Sequence, residues 1–281
     1  MNVRFFLTWK SGRFQGLILA LLGAMIFCRF SALLCGGVFV LSRPALAQDD
    51  EPKVEPDRRD FTRGASVIPL GHIQVESGVT ATRTGDMREF LLGDTQIRVP
   101  ISRRAELRFN TPRYLIERES GSASRGGLDD TGIEARFLLS KSSKIATAIT
   151  AFTTLPTGAR HVAEHRYQPG AVLATNFTLS PCTNLILNLG GERPTSEQQR
   201  FFRLIATAAF RYDASERVNL FSEVYYLSHD EPDGPSQKFA DIGAVYFAGN
   251  RTAFDARFGV GLDNKIGGPN YFYSVGVSRL F

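Results

Sequence analysis

The sequence contains only three cysteines, and two of them lie near its beginning. Cys28 and Cys35 fall within the first 47 residues, so Cys182 is the single cysteine in the rest of the chain. One cysteine cannot form an internal disulfide, which excludes the disulfide-stapled folds of small secreted proteins. The remainder of the chain must therefore be held together by packing, hydrogen bonds and ion pairs.

Acidic residues are absent from the first 47 residues, which carry five basic ones: Arg4, Lys10, Arg13, Arg29 and Arg43. Residues 16–41 are mostly apolar, and the small-x-small triplet at 45–47 precedes Gln48 as a cleavage signal would. We predict a signal peptide at 1–47; translation from Met25 would give a shorter leader, 25–47. The alternative is a membrane-spanning helix at 16–41, and the charge of Arg29 at its centre argues against it.

Without this leader the chain has no net charge. The leader holds five of the 33 basic residues and none of the 28 acidic ones, so 28 positive charges balance 28 negative charges in the rest. Lysine and arginine are also scattered along it, without the dense stretch that follows a nucleic-acid backbone. We predict no nucleic-acid partner.

No second long apolar run follows the leader, and an alternation of period two replaces it. In 252–262, for example, Phe254, Phe258 and Val260 alternate with charged residues or glycine, and stretches 104–109 and 133–139 repeat the pattern. Each strand then has one apolar face and one charged or small face. This pattern is typical of a membrane β-barrel, but a soluble β-sandwich would also produce it.

Strand length distinguishes these two folds. A tilted membrane strand needs about 9–11 residues, whereas sandwich strands more often have about five or six. We predict twelve strands, most of them of the longer kind: 71–82, 89–99, 103–112, 129–139, 144–155, 169–179, 183–192, 200–212, 217–228, 238–248, 251–262 and 271–281.

The predicted connections alternate in length. The short ones lie at 100–103, 140–143, 180–182, 213–216 and 249–250, and the long ones at 112–130, 156–169, 193–199, 229–237 and 263–270. The first hairpin, at 82–86, is short where a long loop is expected. Short turns on one side and long loops on the other are typical of bacterial outer-membrane barrels. We therefore predict an all-β fold: a transmembrane antiparallel β-barrel of about 12 strands at 71–281, surrounded by outer-membrane lipid and preceded by a periplasmic extension at 48–70.

The last predicted strand carries aromatic residues near both of its ends. Its apolar face holds Tyr271, Tyr273, Val275, Val277 and Phe281, and Arg279 interrupts the pattern. Aromatic residues at these positions suit the interfacial girdles of a barrel. A terminal Phe on such a strand also resembles the signal by which bacterial outer-membrane proteins are recognised for assembly. We expect the barrel-assembly machinery to be a partner of this strand.

The opposite faces of the strands would line the lumen. The charged residues placed there are Glu76, Arg98, Arg104, Glu106, Arg108, Glu134, Arg136, Arg203, Arg211, Glu223, Asp241, Asp255 and Arg257. Both signs are nearly balanced, so neighbouring strands can pair them. Two interpretations remain open: a structural network of ion pairs in a narrow barrel, or a polar lining that passes small solutes.

One motif points to different chemistry. The stretch HVAEH at 161–165 matches H-x-x-E-H, in which a helix would present His161 and His165 to zinc and Glu164 as general base. Nearby prolines and glycines leave room for barely three helical turns, so we interpret the match as chance. Phosphate-binding glycine loops, nucleophile elbows and CxxC pairs are absent from the sequence. We predict no catalytic, metal or cofactor site, and no enzyme.

The residues that enter the first strand resemble a known family. In 57–80, Asp57, Arg58, Asp60, Phe61 and Thr62 are followed by Pro69, Gly71, His72, Gln74, Glu76 and Gly78. This order is similar to the opening of the bacterial family labelled outer-membrane transporter of the phenol meta-degradation pathway, with Arg59 and Leu70 replacing prolines. Further similar stretches are 104–110, 154–158, 221–226 and 255–262. The resemblance implies a barrel that moves small molecules, aromatic ones among them, across the outer membrane.

These observations favour passive or facilitated transport of a small-molecule solute across the outer membrane of a Gram-negative bacterium. The alternative is a closed structural or surface-binding barrel that acts through its long loops at 112–130 and 156–169.

Overall fold

The computed structural model describes residues 52–58, 62–121, 123–196, 198–229, 231–262 and 270–281. The predicted signal peptide at 1–47 lies outside these residues. In the part of the chain that is described, no helix is long and apolar enough to cross a membrane. The strands are β1 (Gln74–Thr84), β2 (Met87–Leu92), β3 (Gln96–Ser102), β4 (Ala105–Asn110), β5 (Tyr114–Arg118), β6 (Arg125–Leu128), β7 (Thr131–Lys141), β8 (Ile145–Leu155), β9 (Gly170–Ser180), β10 (Thr183–Glu192), β11 (Thr195–Ser196), β12 (Gln199–Arg200), β13 (Arg203–Ser215), β14 (Val218–Leu227), β15 (Gln237–Phe247), β16 (Thr252–Gly261) and β17 (Tyr271–Leu280).

All of these strands except the β11–β12 hairpin belong to one antiparallel sheet that closes on itself. Strand β17 pairs with β1 along its length, from Gln74 opposite Leu280 to Arg83 opposite Tyr271. Strands β2 and β3, β4 and β5, and β6 and β7 continue one another, so the 15 strands of the sheet form 12 walls of a barrel. The prediction of a twelve-strand antiparallel barrel is confirmed.

Of two notable predicted connections, one agrees with the structure and the other does not. The first hairpin has the short turn that the sequence predicts, because β1 ends at Thr84 and β2 begins at Met87. The long loop predicted at 112–130 is wrong: β5 and β6 form a hairpin there, with Tyr114 opposite Leu128. Its glycines and charges hide the alternation, but the backbone simply continues the ladders of β4 and β7. The following loop packs on it, since Ala159 N donates to Leu128 O at 2.8 Å.

The barrel places charge inside and apolar side chains outside. Ile242, Leu189 and Val275 are 65%, 60% and 54% exposed, whereas Glu76, Arg98 and Arg136 are at 0%. A soluble sandwich would bury the first group and expose the second. The outer belt of exposed apolar side chains is instead the surface that a lipid bilayer covers.

The two ends of the barrel differ. Short turns between β3 and β4, β7 and β8, β9 and β10, β13 and β14, and β15 and β16 lie at one end, which we call the short-turn end. The beginning of β1 and the end of β17 lie there too, where Phe281 N donates to Ile73 O at 2.8 Å and Ile73 N donates to Phe281 O at 3.2 Å. The longer connections lie at the opposite, long-loop end.

Candidate functional site: a plugged lumen

Residues 52–58 and 62–68 lie inside the barrel, and we call them the plug. Val54 is buried against Ala253 and Leu280, and its N–H donates to Asn250 O at 2.7 Å in the β15–β16 turn. At the other end of the plug, the chain returns to the short-turn end where Ile73 meets Phe281. The segment therefore enters and leaves the lumen by the same end. The periplasmic extension predicted at 48–70 is corrected accordingly: its residues 52–58 and 62–68 lie in the lumen.

Backbone N–H groups of the plug donate to side chains of the barrel wall rather than to a neighbouring strand. Asp57 N donates to Glu76 Oε2 at 2.7 Å, Arg63 N to Asn188 Oδ1 at 2.7 Å, Ala65 N to Asn176 Oδ1 at 3.0 Å, and Ile68 N to Glu106 Oε2 at 3.0 Å. These wall residues come from β1, β10, β9 and β4. A buried backbone donor without a partner is costly, so each such acceptor stabilises the plug in this one position.

Asp57 is the centre of the ion pairs that hold the plug. Its Oδ2 accepts from Arg136 Nη1 at 2.6 Å and from Arg108 Nη2 at 2.8 Å, and its Oδ1 accepts from Gly64 N at 2.8 Å. The two guanidinium groups project from β7 and β4. One carboxylate of the plug thus joins two neighbouring walls of the barrel.

Glutamates on β1 and β4 balance the remaining positive charge. Arg98 lies 3.2 Å from both Glu76 and Glu106, and Arg108 Nε donates to Glu106 Oε1 at 2.7 Å. Arg98 Nη1 also donates to the plug carbonyl of Glu55 at 2.8 Å. Buried ions are tolerated when they are paired and hydrogen-bonded in this way.

On the other side of the plug, Arg58 fills a notch in the wall. Its Nη2 donates to Asp255 Oδ1 at 2.6 Å and to Ser274 Oγ at 2.9 Å. The guanidinium passes between Gly78 and Gly276, which face each other across β1 and β17. A Cβ at Gly78 would lie 1.9 Å from Arg58 Nη1, and one at Gly276 would lie 2.6 Å from its Nε. The notch therefore requires glycine on both strands.

The deepest contacts of the plug are near the middle of the barrel. Thr62 Oγ1 donates to Thr207 Oγ1 at 2.9 Å, and Arg63 forms an ion pair with Glu134 while its guanidinium lies 5.1 Å from the ring centroid of Phe152. Asn188 binds the Arg63 backbone on both sides, since its Nδ2 donates to Arg63 O at 2.9 Å. The plug therefore contacts strands all around the barrel.

Burial alone would raise the pKa of Asp57, but Arg136, Arg108 and Arg98 outweigh it and hold that pKa well below its usual range. Because a lowered pKa stabilises the seated plug only while Asp57 is ionised, this contribution is complete above the ordinary carboxyl pKa and declines below it. We expect the contribution of Asp57 to plug-dependent channel properties, taken as the difference between the complete chain and Asp57→Ala, to stay constant from about pH 7 to pH 5 and to decline only below about pH 4. Bilayer conductance recorded across this range checks the prediction, and a transition near pH 6 would contradict it.

Beside the plug lies a cavity of about 710 Å³. The plug forms one side of it, and strands on the far side of the barrel form the other, with Asn184, Arg211 and Phe221 among the lining residues. Farther toward the long-loop end, Tyr225, Phe239 and Phe272 form a buried cluster on the inner face of β14, β15 and β17, with Tyr225 and Phe239 stacked at 4.7 Å. The lumen is thus partly aromatic.

The sequence-predicted lumen residues fall in three groups. Glu76, Arg98, Glu106, Arg108, Glu134 and Arg136 join the ion-pair network at the plug, and Asp255 holds Arg58. Arg257 lies 3.6 Å from Asp241 and 3.9 Å from Glu223, Arg203 pairs with Glu192 at 2.9 Å near the long-loop end, and Arg211 lines the cavity. The prediction that Arg104 lines the lumen is wrong. Its side chain is exposed next to the β3–β4 turn, where the register shifts, and its Nε donates to Leu138 O at 3.0 Å.

Sequence reasoning missed the plug and the aromatic cluster. The plug has no periodicity, so no strand or helix pattern reveals it. The available signal was the resemblance at 57–80, whose first residues precede every predicted strand. Tyr225 and Phe239 lie two positions from Glu223 and Asp241 on the same strand faces, and Phe272 lies two positions from Ser274. This phase could have placed the three rings inside.

The histidines of the HVAEH stretch lie in an irregular loop. His161 Nε2 is 3.1 Å from Gly126 O, and His165 Nδ1 is 3.2 Å from Gly158 O. The two rings thus contact different backbone carbonyls, and the spacing that a zinc-binding helix would provide is missing. Across the described parts of the chain, no group of three His, Cys, Asp or Glu side chains is arranged to hold a metal ion.

The predicted assembly residues Tyr271, Tyr273, Val275, Val277 and Phe281 share the outer face of the final strand, while Phe272, Ser274 and Ser278 are buried inside. Arg279 also points outward. Its Nη1 donates to Thr252 Oγ1 at 2.5 Å, and its guanidinium lies 5.9 Å from the Phe281 ring. Recognition of this face by the assembly machinery stays a prediction.

The closed sheet, the apolar outer belt and the charged interior define an outer-membrane β-barrel. The fold is similar to that of two porins: the KdgM porin, with a TM-score of 0.50 at 11% identity over 73% of this chain and 99% of that one, and the NanC porin, with a TM-score of 0.50 at 8% identity over 74% and 98%. No curated protein sequence was found to match the chain.

Residues 56–280 match the family described as "Putative MetA-pathway of phenol degradation". The chain belongs to this family. The match begins within the plug, so the family pattern includes the segment that fills the lumen as well as the barrel wall.

Proposed function

We propose that the protein is an outer-membrane channel for small molecules, aromatic compounds among them, and that the plug is its gate. The observation that carries the proposal is the position of the plug, which occupies the lumen while both of its ends lie at the short-turn end. A segment tied in this way can leave the lumen without any strand of the barrel separating. Its fastenings are ion pairs and hydrogen bonds, which water can replace when the plug moves out.

Family membership and the porin-like fold support transport, and the aromatic residues within the lumen support an aromatic solute. Tyr225, Phe239 and Phe272 lie on the inner wall next to Arg257, whose guanidinium is 5.4 Å from the Phe272 ring centroid. Such a surface suits planar rings that carry polar groups.

A disulfide between plug and wall tests the gate. The Oγ1 atoms of Thr62 and Thr207 are 2.9 Å apart, so cysteines at both positions face each other. In a Cys182→Ser background, we expect oxidised Thr62→Cys/Thr207→Cys protein to be silent in a planar bilayer and reduced protein to show steps. The two single-cysteine variants are the controls, because they carry the same substitutions and cannot cross-link. Equal conductance in the oxidised and reduced states would refute gating by the plug.

The tightly fitted plug also favours a second candidate, a closed barrel that acts through its surface loops. The packing of the 156–168 loop on the β5–β6 hairpin supports it, since Ala159 N donates to Leu128 O at 2.8 Å. Folded, reduced protein that never conducts would favour this candidate over the channel.

A further inference from the structure

The cavity beside the plug has the size of a ligand-binding pocket. Its volume of about 710 Å³ lies within the range of about 300–1,000 Å³ that small-molecule sites occupy. It lies toward the short-turn end, between the plug and strands from β7 to β16. Exposed Arg103 and Lys141 belong to its lining and give its edge a positive character.

The charged residues that line this cavity differ in how many ion pairs and hydrogen bonds they make. Asp57 accepts from two arginines, Asp255 accepts from Arg58, and Asp213 Oδ1 accepts from Asn219 Nδ2 at 2.7 Å. Half-buried Arg211 has neither an ion pair nor a side-chain hydrogen bond with any residue that the structure describes. A half-buried guanidinium with open donors attracts an anionic oxygen group.

The neighbours of Arg211 add an amide and an aromatic ring. Across the ladder, Asn184 lies opposite Arg211 on one side and Phe221 lies opposite it on the other. The ring of Phe221 extends over Gly243, where a Cβ would lie 2.3 Å from Phe221 Cζ. Glycine thus lets the ring lie against the wall, with a face available to the cavity.

We propose that this cavity binds a small aromatic anion, an aromatic ring bearing a carboxylate or phenolate. The guanidinium of Arg211 and the amide of Asn184 would hold the anionic oxygens, and the ring would stack on Phe221. The proposal rests on the proposed function in so far as such an anion is the solute. Binding itself requires no passage through the barrel and can be measured separately.

Benzoate is the probe, titrated calorimetrically into the folded 48–281 chain in detergent. We expect saturable binding to the unmodified chain and a loss of affinity of about tenfold or more in Arg211→Gln, because one charge-assisted contact is removed. Phe221→Leu should abolish any preference for benzoate over cyclohexanecarboxylate. The matched control is Arg217→Gln, which removes one exposed positive charge from the turn that follows the same strand.

The outcomes separate the two proposals. Absence of benzoate binding by the folded chain, or equal affinity in Arg211→Gln and the unmodified protein, would overturn the site. A loss of affinity as large in Arg217→Gln as in Arg211→Gln would overturn it too, because it would indicate general charge attraction. Selective loss in Arg211→Gln supports the site, and it does so even if the disulfide experiment shows that the barrel does not conduct.

Discussion

A chain that lacks residues 52–68 is expected to be open in a planar bilayer for a several-fold larger fraction of the recording than the complete protein. The reason is geometric: the plug residues 52–58 and 62–68 occupy the lumen, whereas closure of the barrel depends on the pairing of β1 with β17, which begins at Gln74. Removing them leaves Arg98 and Arg108 with their glutamate partners and Arg136 with Thr150 on the wall, now in contact with water. Single-channel recording of both refolded chains checks this prediction.

The control is the shortened chain to which a synthetic peptide of residues 52–68 is added. Block by this peptide, and weaker block by one with Asp57 replaced by alanine, would link the closed state to the plug contacts. Equal open fractions in the complete and shortened chains would contradict the prediction, provided that both show the mobility shift of a folded barrel on unheated gels.

Asp57→Ala is the single substitution with the largest expected effect on the plug. It leaves the guanidinium groups of Arg108 and Arg136 without their shared carboxylate, and removing one member of a buried ion pair costs about 3–5 kcal/mol. This cost acts on the seated plug alone, so the ratio of displaced to seated plug should rise by about two to four orders of magnitude. Trypsin cleavage after Arg58 or Arg63, followed over time, measures this ratio.

Glu55→Ala is the matched control, because Glu55 lies two residues away in the same segment but is exposed. Its carbonyl contact to Arg98 survives the substitution. The double variant Asp57→Ala/Arg136→Met should recover part of the protection, since it removes one of the stranded charges. Cleavage of Asp57→Ala as slow as that of the control would show that the ion pairs at Asp57 do not hold the plug.

The barrel could be predicted because the pattern that indicates it lies within each strand. Alternating side chains report directly which face of a strand meets lipid, as Phe254, Phe258 and Val260 do opposite Asp255 and Arg257. The hairpin of β5 and β6 was missed because it extends existing ladders with residues such as Gly126 and Gly127, which have no sidedness.

The plug could not be predicted from its own residues. It has no regular secondary structure, and what fixes it are partners elsewhere in the chain, such as Asp255 for Arg58 and Asn188 for Arg63. From the sequence, the charged inner faces could be either a structural ion-pair network or a polar lining for solutes. In the structure, the network at Glu76, Arg98 and Arg108 holds the plug. A pattern along the chain cannot show that a second segment supplies part of an ion-pair network.

The glycine notch around Arg58 determines the order in which the molecule can fold. Gly78 and Gly276 come together only when the first and last strands pair, and Arg58 is separated from its partner Ser274 by 216 positions. The docking site for Arg58 therefore does not exist until the ring of strands is complete. Because the plug precedes the barrel in the sequence while this site needs the last strand, we expect complete insertion of the plug to be a final folding step, with a rate that can be measured apart from barrel formation.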